Sequence, residues 1–269
     1  MLKERVITAL VLLPIVIWCV FFAPNSWAFT VFAGLIVSIA AWEWTTLMRW
    51  QQPLARAAFV ALVVASLGAL LAFPVLAGIK LPLYGLSLIF WLVALRLVRG
   101  YPNNTALWAN ASVLLPVGFI LLVPAWSGLV ELHKISHWWL LYVFVLVWGA
   151  DTGAYFAGRA FGTHKLAPDI SPGKTVEGLI GGLLAAALGA AIATATFIPE
   201  LPIAASVPLA VVLAAVGVLG DLAESAMKRG SKTKDAASIL PGHGGLLDRL
   251  DSLLFGAPIL YYFARYYFS

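Results

Sequence analysis

The sequence predicts an all-α, polytopic integral membrane protein with about nine transmembrane helices and a cytoplasmic N-terminus, and three observations predict it. Of its 269 residues, 62% are hydrophobic and only 11% are charged, about half the charge of an ordinary soluble domain. The apolar residues fall into segments of roughly 20, the length that one bilayer crossing takes. The Lys and Arg residues, finally, segregate to one set of connections between those segments. A water-soluble globule is excluded, and little chain is left for an extramembrane domain.

The first segment, 5–23, follows Met-Leu-Lys-Glu-Arg and resembles a signal peptide in charge. Its apolar run is long for one, and Pro24 stands where a small-residue cleavage site would be wanted, so it is read as a retained span. Apolar segments at 27–48, 57–79, 81–98 and 106–126 follow. Four more lie at 137–160, 176–198, 203–227 and 248–267. Between them stand breaks with turn chemistry, such as Ala-Pro-Asn-Ser at 23–26, Gly-Tyr-Pro-Asn-Asn at 100–104 and Pro199 to Pro202.

With the N-terminus inside, fourteen of the seventeen Lys and Arg residues face the cytoplasm, and only Lys80, Lys134 and Arg265 lie on the other side. The expected location is the cell inner (cytoplasmic) membrane, crossed many times. A net charge of +5 could point to nucleic acid in a soluble chain. Here the cations sit between apolar runs, which places them at lipid headgroups or on phosphate ligands, with no nucleic-acid partner. Cys19 is the single cysteine and lies in the first run, so neither a disulfide framework nor a Cys-based zinc site is available.

Nine of the twelve acidic residues lie after residue 150. Residues 1–130 therefore read as a transmembrane scaffold, and 131–269 as the catalytic transmembrane region with cytoplasmic loops 159–176 and 228–247. Glu43, between Trp42 and Trp44, is the one buried-looking acid of the first half and reads as a paired structural group sooner than a site.

Two segments carry chemistry. On a helix, Asp221, Glu224, Ser225 and Lys228 form one polar stripe at the end of the eighth span, and Asp248 and Asp251 do the same where the ninth begins. Carboxylates at span ends need partners or metal ions, and hard oxygen ligands suit Mg²⁺. Lys228, Arg229, Lys232, Lys234 and Arg249 add positive charge to the same stretch. That inventory is what phosphoryl or nucleotidyl transfer requires. Between the stripes, Pro-Gly-His-Gly-Gly at 241–245 allows close backbone approach to an anion, with His243, Gly244 and Gly245 as substrate contacts; His243 reads equally well as a headgroup-level loop residue.

The other segment runs from Trp148 to Gly178. Asp151 sits within the sixth span, where a carboxylate is either functional or ion-paired, with Arg159 or a neighbouring helix as its partner. Ser171, Lys174 and Thr175 lie in a loop entering the seventh span, where hydroxyls, a cation and free N–H groups suit phosphate. Gly178, Gly182, Ala186 and Ala190 recur every four residues, which signals close helix packing inside the chain or, less readily, a homodimer face.

The stretch Ser225 to Asp251, with Ser-Ala-Met-Lys-Arg, Lys-Asp and Pro-Gly-His-Gly-Gly-Leu-Leu-Asp-Arg-Leu-Asp, closely resembles the signature of the phosphatidate cytidylyltransferases, or CDP-diacylglycerol synthases. Asp-Thr-Gly-Ala-Tyr-Phe-Ala-Gly-Arg at 151–159 and Ile-Ser-Pro-Gly-Lys-Thr-Val-Glu-Gly at 170–178 are similar to the same family. The resemblance implies transfer of the cytidylyl group of CTP to phosphatidic acid at the lipid bilayer, with divalent metal. It further implies that Asp221, Asp248 and Asp251 hold the metal, as two Mg²⁺ ions, and that Lys228, Arg229, Lys234 and Arg249 bind phosphate. Ala236 and Ala237 depart from the pattern, where a hydroxyl or glycine is common.

A CTP-dependent lipid kinase shares nucleotide, metal and lipid acceptor, and differs in releasing CDP. A transporter would place polar residues near the midplane in both halves, whereas here they cluster at span ends of one half.

Overall fold

A computed structural model describes residues 14–22, 26–233 and 245–268. Eight long helices dominate it: α1 (Ser26–Leu47), α2 (Pro53–Ala72), α3 (Ala77–Arg99), α4 (Ala111–Ile135), α5 (His137–Phe161), α6 (Val176–Thr196), α7 (Ile203–Gly230) and α8 (Leu247–Phe268). The all-α, polytopic membrane class holds. Seven of these helices, α1 to α7, are long and apolar enough to cross a bilayer. The eighth, α8, is the least apolar of the eight. Of the first expected span, residues 14–22 are helical, ending in a π-helical turn at Trp18–Phe22, and 5–13 and Ala23 lie outside the described residues.

Successive helices run antiparallel. One end of the bundle gathers the C-termini of α1, α3, α5 and α7 with the N-termini of α2, α4, α6 and α8. At the opposite end, Lys80 of α3 and Lys134 of α4 both pair with Glu131, at 2.6 and 3.1 Å.

The fifth span differs from expectation, running over 111–135 instead of 106–126. Thr105–Trp108 form a separate turn, whose Trp108 packs beneath Gly230, and the Asn110 side chain accepts a 2.9 Å bond from the Ser112 N–H to start the helix anew. At its far end, Glu131 would be costly in the bilayer but is satisfied by its two lysines, so α4 continues to Ile135. The third span ends early, at Ala72, where Phe73-Pro74 stops the helix.

α4 forms the hub, 67% buried over its apolar window against 17% for α2, which lies at the periphery. Gly128 lets α8 cross it closely: a Cβ there would sit 2.9 Å from the Ala257 carbonyl carbon. Hydroxyls add interhelical bonds, Tyr84 to Ser127 at 2.8 Å and Tyr142 to Ser206 at 2.8 Å, each about 0.6–2 kcal/mol in such surroundings.

α6 shows two faces. Gly178, Gly182, Ala186 and Ala190 are buried, most of them against α5, while Ile180, Leu184, Leu188 and Ile192 are exposed as a lipid-facing stripe. The small-residue spacing is thus used inside the chain. A Cβ on Gly182 would lie 2.9 Å from the Ala150 carbonyl oxygen, and one on Gly181 2.9 Å from that of Gly153.

Candidate active site

The close approach of α5 and α6 brings a face of α5 to a cavity of about 640 Å³ at the gathered end of the bundle. Trp148, Asp151, Tyr155 and Arg159 line it from α5, Lys174 from the neighbouring strand, and Asp221 and Lys228 from α7. Asp151 lies ten residues before the end of α5, ~15 Å below it at 1.5 Å per residue. A carboxylate that deep remains solvent-exposed because the cavity reaches down to it.

The strand belongs to an element read from sequence as a plain loop. β1 (Lys165–Ala167) pairs antiparallel with β2 (Ser171–Thr175), Lys165 opposite Thr175 and Ala167 opposite Ser171. The hairpin is fastened at both ends. At its base, Glu177 in the first turn of α6 accepts from the Thr163 N–H at 3.1 Å and hydroxyl at 2.8 Å, and bonds His164 Nδ1 at 2.6 Å. A carboxylate there also suits the positive end of the helix dipole. At its tip, the Arg229 Nε donates to the Ile170 carbonyl.

Held so, the hairpin presents Lys174 to Asp221 as an ion pair, its side chains 24% and 39% accessible to water. Asp151 lies within electrostatic reach of both. The deep carboxylate thus shares the cavity with the Lys174–Asp221 pair, whereas Arg159 donates to the Tyr155 hydroxyl at 3.0 Å. Lys228 sits 3.5 Å from the buried Glu224, one turn back on α7, and also lines the cavity.

Of the residues expected at the site, Asp151, Lys174, Thr175, Asp221 and Lys228 thus meet at one cavity. Thr175 carries a structural duty there, its hydroxyl capping α6 by accepting from the Gly178 N–H at 3.1 Å. Ser225 stands outside the lining and donates to Asp221 at 3.4 Å; Ser171 also stands outside it, and Arg229 is turned to the hairpin tip. Gly245 is buried beside the start of α8. Lys234, His243 and Gly244 lie outside the described residues, as do the side chains of Asp248, Arg249 and Asp251. Among the described residues, no three His, Cys, Asp or Glu residues cluster as a metal site.

Arg159, Tyr155 and Trp148 were not expected at the site. Their signal is the helical spacing 148, 151, 155, 159, which puts them on the face that carries Asp151.

The segment between α7 and α8 is held at both ends by α1. Glu43, fully buried, accepts from the backbone N–H of Leu246 at 2.9 Å and of Leu247 at 2.6 Å, capping the helix that carries Asp248 and Asp251. Arg49 donates to the carbonyls of Gly230 and Ser231 at the end of α7. An acid at one helix N-terminus and a guanidinium at another's C-terminus both complement the helix dipoles.

Comparison with known proteins completes the picture. A family model described as the Cytidylyltransferase family matches residues 3–267. A phosphatidate cytidylyltransferase of Pseudomonas aeruginosa is 44% identical over 265 residues, covering 96% of this chain and 95% of that protein. One from Haemophilus influenzae is 39% identical over 285 residues, covering 98% of each, and one from Bacillus subtilis is 40% identical over 178 residues, covering 63% of this chain and 66% of that protein.

Proposed function

This chain belongs to the cytidylyltransferase family, and from that premise we propose that it transfers the cytidylyl group of CTP to phosphatidic acid, giving CDP-diacylglycerol and pyrophosphate. The observation that carries the reading is the cavity in which Asp151, Lys174, Asp221 and Lys228 converge at one end of a membrane bundle. That end is taken as the cytoplasmic one and the membrane as the inner membrane, since the connections there carry most of the Lys and Arg.

The chemistry asks little of a general base. Phosphatidate is a phosphomonoester with a second pKa near ~6, so its attacking oxygen is largely anionic at pH 7. That oxygen forms a new bond to the α-phosphorus of CTP as the bond to the β-phosphate bridging oxygen breaks, and pyrophosphate leaves. The obstacle is the meeting of two polyanions, which the site must neutralise and align. Lys174 and Lys228 supply cations to the cavity from the hairpin and from α7. The fixed hairpin holds Lys174 in place without reorganisation.

Carboxylate donors fit a hard divalent cation. Asp221, with Asp248 and Asp251 of the helix that Glu43 caps, would hold Mg²⁺, and Asp151 stands within electrostatic reach of Asp221. Bound there, Mg²⁺ supplies charge neutralisation for the triphosphate. Lys228, Arg229, Lys234 and Arg249 are the proposed phosphate contacts, Arg229 also anchoring the hairpin tip.

The test is conversion of labelled CTP with phosphatidic acid and Mg²⁺ by detergent-purified protein, following lipid and pyrophosphate, with an EDTA control. Metal-dependent CDP-lipid with stoichiometric pyrophosphate is expected. A phosphorylated lipid with free CDP would overturn it in favour of a kinase.

A further inference from the structure

A second cavity, of about 480 Å³, adjoins the polar one and shares three of its walls, Leu166, Leu179 and Val218. Beyond them its lining is almost entirely aliphatic, with Leu183 from α6, Ala215 and Leu219 from α7, and Leu95 from α3. The hairpin tip, 167–170, closes one side, and Arg99 and Asp169 are the only charged residues of the lining. From the geometry we propose that this slot holds one fatty acyl chain of the lipid substrate, and so sets chain-length preference; the inference rests on the lipid acceptor proposed above.

Depth is the first argument. Leu183 lies seven residues into α6, ~10 Å from its start, and Ala215 six residues before Asp221, ~9 Å along α7. A lipid whose phosphate sits at Lys174 and Lys228 therefore has the upper part of its chains at the level of the slot. Adjacency is the second, because Leu166, Leu179 and Val218 border both compartments, so the phosphate and the alkyl chain of one lipid find their matching linings side by side.

The third is exclusion by size and chemistry. A helix of another protein, ~10 Å across with its side chains, would fill 480 Å³ in about one turn, too little for a stable dock. A nucleotide would leave its polar groups unpaired against aliphatic walls. Arg99, in the last turn of α3, is the one cation of the lining.

Two substitutions test this outside the polar cavity. Ala215→Trp should fill the slot and raise KM for dioleoyl phosphatidate at least tenfold, with KM for dihexanoyl phosphatidate and for CTP unchanged. Leu183→Ala, which only removes atoms, should raise the long-chain KM about tenfold and spare the short chain, since each unburied methylene weakens binding about fourfold. Equal effects on both chain lengths in either variant, or none, would overturn the proposal.

A binding readout stands apart from turnover. Phosphatidate with a mid-chain diazirine, photolysed with the wild-type protein in nanodiscs, should label the segments around Leu183 and Ala215, and excess phosphatidate but not phosphatidylcholine should suppress it. Labelling spread over the outer faces of α2 and α6, with no such competition, sinks the slot even where CDP-lipid is made. Competed labelling without CDP-lipid would instead fault the reaction assigned above.

Discussion

The Glu43 carboxylate of α1 accepts a 2.6 Å hydrogen bond from the backbone N–H of Leu247, more than 200 residues later in the chain, at the first residue of α8. A fully buried acid thus fixes where a helix begins, and with it the placement of Asp248 and Asp251, one and four residues on. Hydrogen bonds to a charged group are worth about 1.5–3 kcal/mol each, and an orphaned buried donor costs a similar amount. Glu43→Ala should therefore lower thermal stability clearly and reduce kcat by at least tenfold, with KM for CTP less affected. Glu43→Gln, which keeps a carbonyl acceptor, should recover part of both. Wild-type kcat in Glu43→Ala would show that the cap does not position the site.

Arg49 offers a separable test of the same clamp. It ends α1 in a left-handed conformation, φ 56°, with Arg49 N–H bonded to Thr46 and Trp50 N–H to Thr45, a turn that usually takes glycine. Lys232 ends α7 in the same way, φ 56°, bonding to Arg229 while Thr233 bonds to Lys228. Holding a non-glycine residue there costs about 1–2 kcal/mol, which the guanidinium offsets by reaching Gly230 and Ser231. Arg49→Gly should relieve the backbone yet lose the clamp, leaving stability within about 1 kcal/mol of wild type while activity falls several-fold. Arg49→Ala loses both and should be the less stable, as thermal unfolding in detergent would reveal.

These two residues mark the limit of what could be read from the sequence. The helical membrane class and the polar end of α7 were legible, because periodicity and length report them directly, although nine spans were expected and seven described helices have the length and apolarity of one; Asp151, Lys174, Asp221 and Lys228 stood out as charges in or beside apolar runs. Glu43 was noticed, but its bonds to the backbone N–H groups of Leu246 and Leu247 are ones that no side-chain pattern encodes. The hairpin 165–175 was hidden by its Pro and Gly content, which reads as loop; its strands are set by Glu177 and Arg229 binding its base and tip. The fifth span was misplaced because Glu131 reads as a terminator until its lysines, one of them 51 residues away, are known.

The Lys174–Asp221 pair should separate stability from activity. Exposed pairs of this kind contribute about 0.2–1 kcal/mol to folding, so neither Lys174→Met nor Asp221→Asn should move Tm by more than a few degrees. Each removes a charge from the place where the polyanions meet, worth about 1.5–3 kcal/mol, or roughly 10- to 100-fold in rate. Initial rates over a CTP titration should show Lys174→Met raising KM and Asp221→Asn lowering kcat. A pair with only structural meaning would shift Tm and rate together.

Helix spacing sets the site's geometry, and Gly182 tests it. A side chain there meets the Ala150 carbonyl at 2.9 Å, next to Asp151, so Gly182→Leu must push α5 from α6 and carry Asp151 away from Lys174. Overpacking of this kind costs about 1–3 kcal/mol. Gly68→Ala, in the peripheral α2, whose new Cβ would meet nothing within 4 Å, should be at least as stable as wild type. Thermal unfolding and CDP-lipid formation, measured on both, should fall together for Gly182→Leu and for Gly68→Ala stay at or above wild type; equal behaviour of the two glycines would refute the packing argument.

Removal of divalent metal is the last test, and it has a readout that does not depend on turnover. If the acids of α7 and α8 share a cation, the folded protein binds it and the unfolded chain does not, so Mg²⁺ should raise Tm by mass action and EDTA should lower it. Asp248→Asn and Asp251→Asn should insert normally, lose turnover, and lose the Mg²⁺-dependent Tm shift. Glu200→Gln, exposed in the connection between α6 and α7 and outside both cavities, should keep both. A full Mg²⁺ shift in the Asp248 and Asp251 variants would remove them from the metal site, and near-normal turnover would remove them from the reaction.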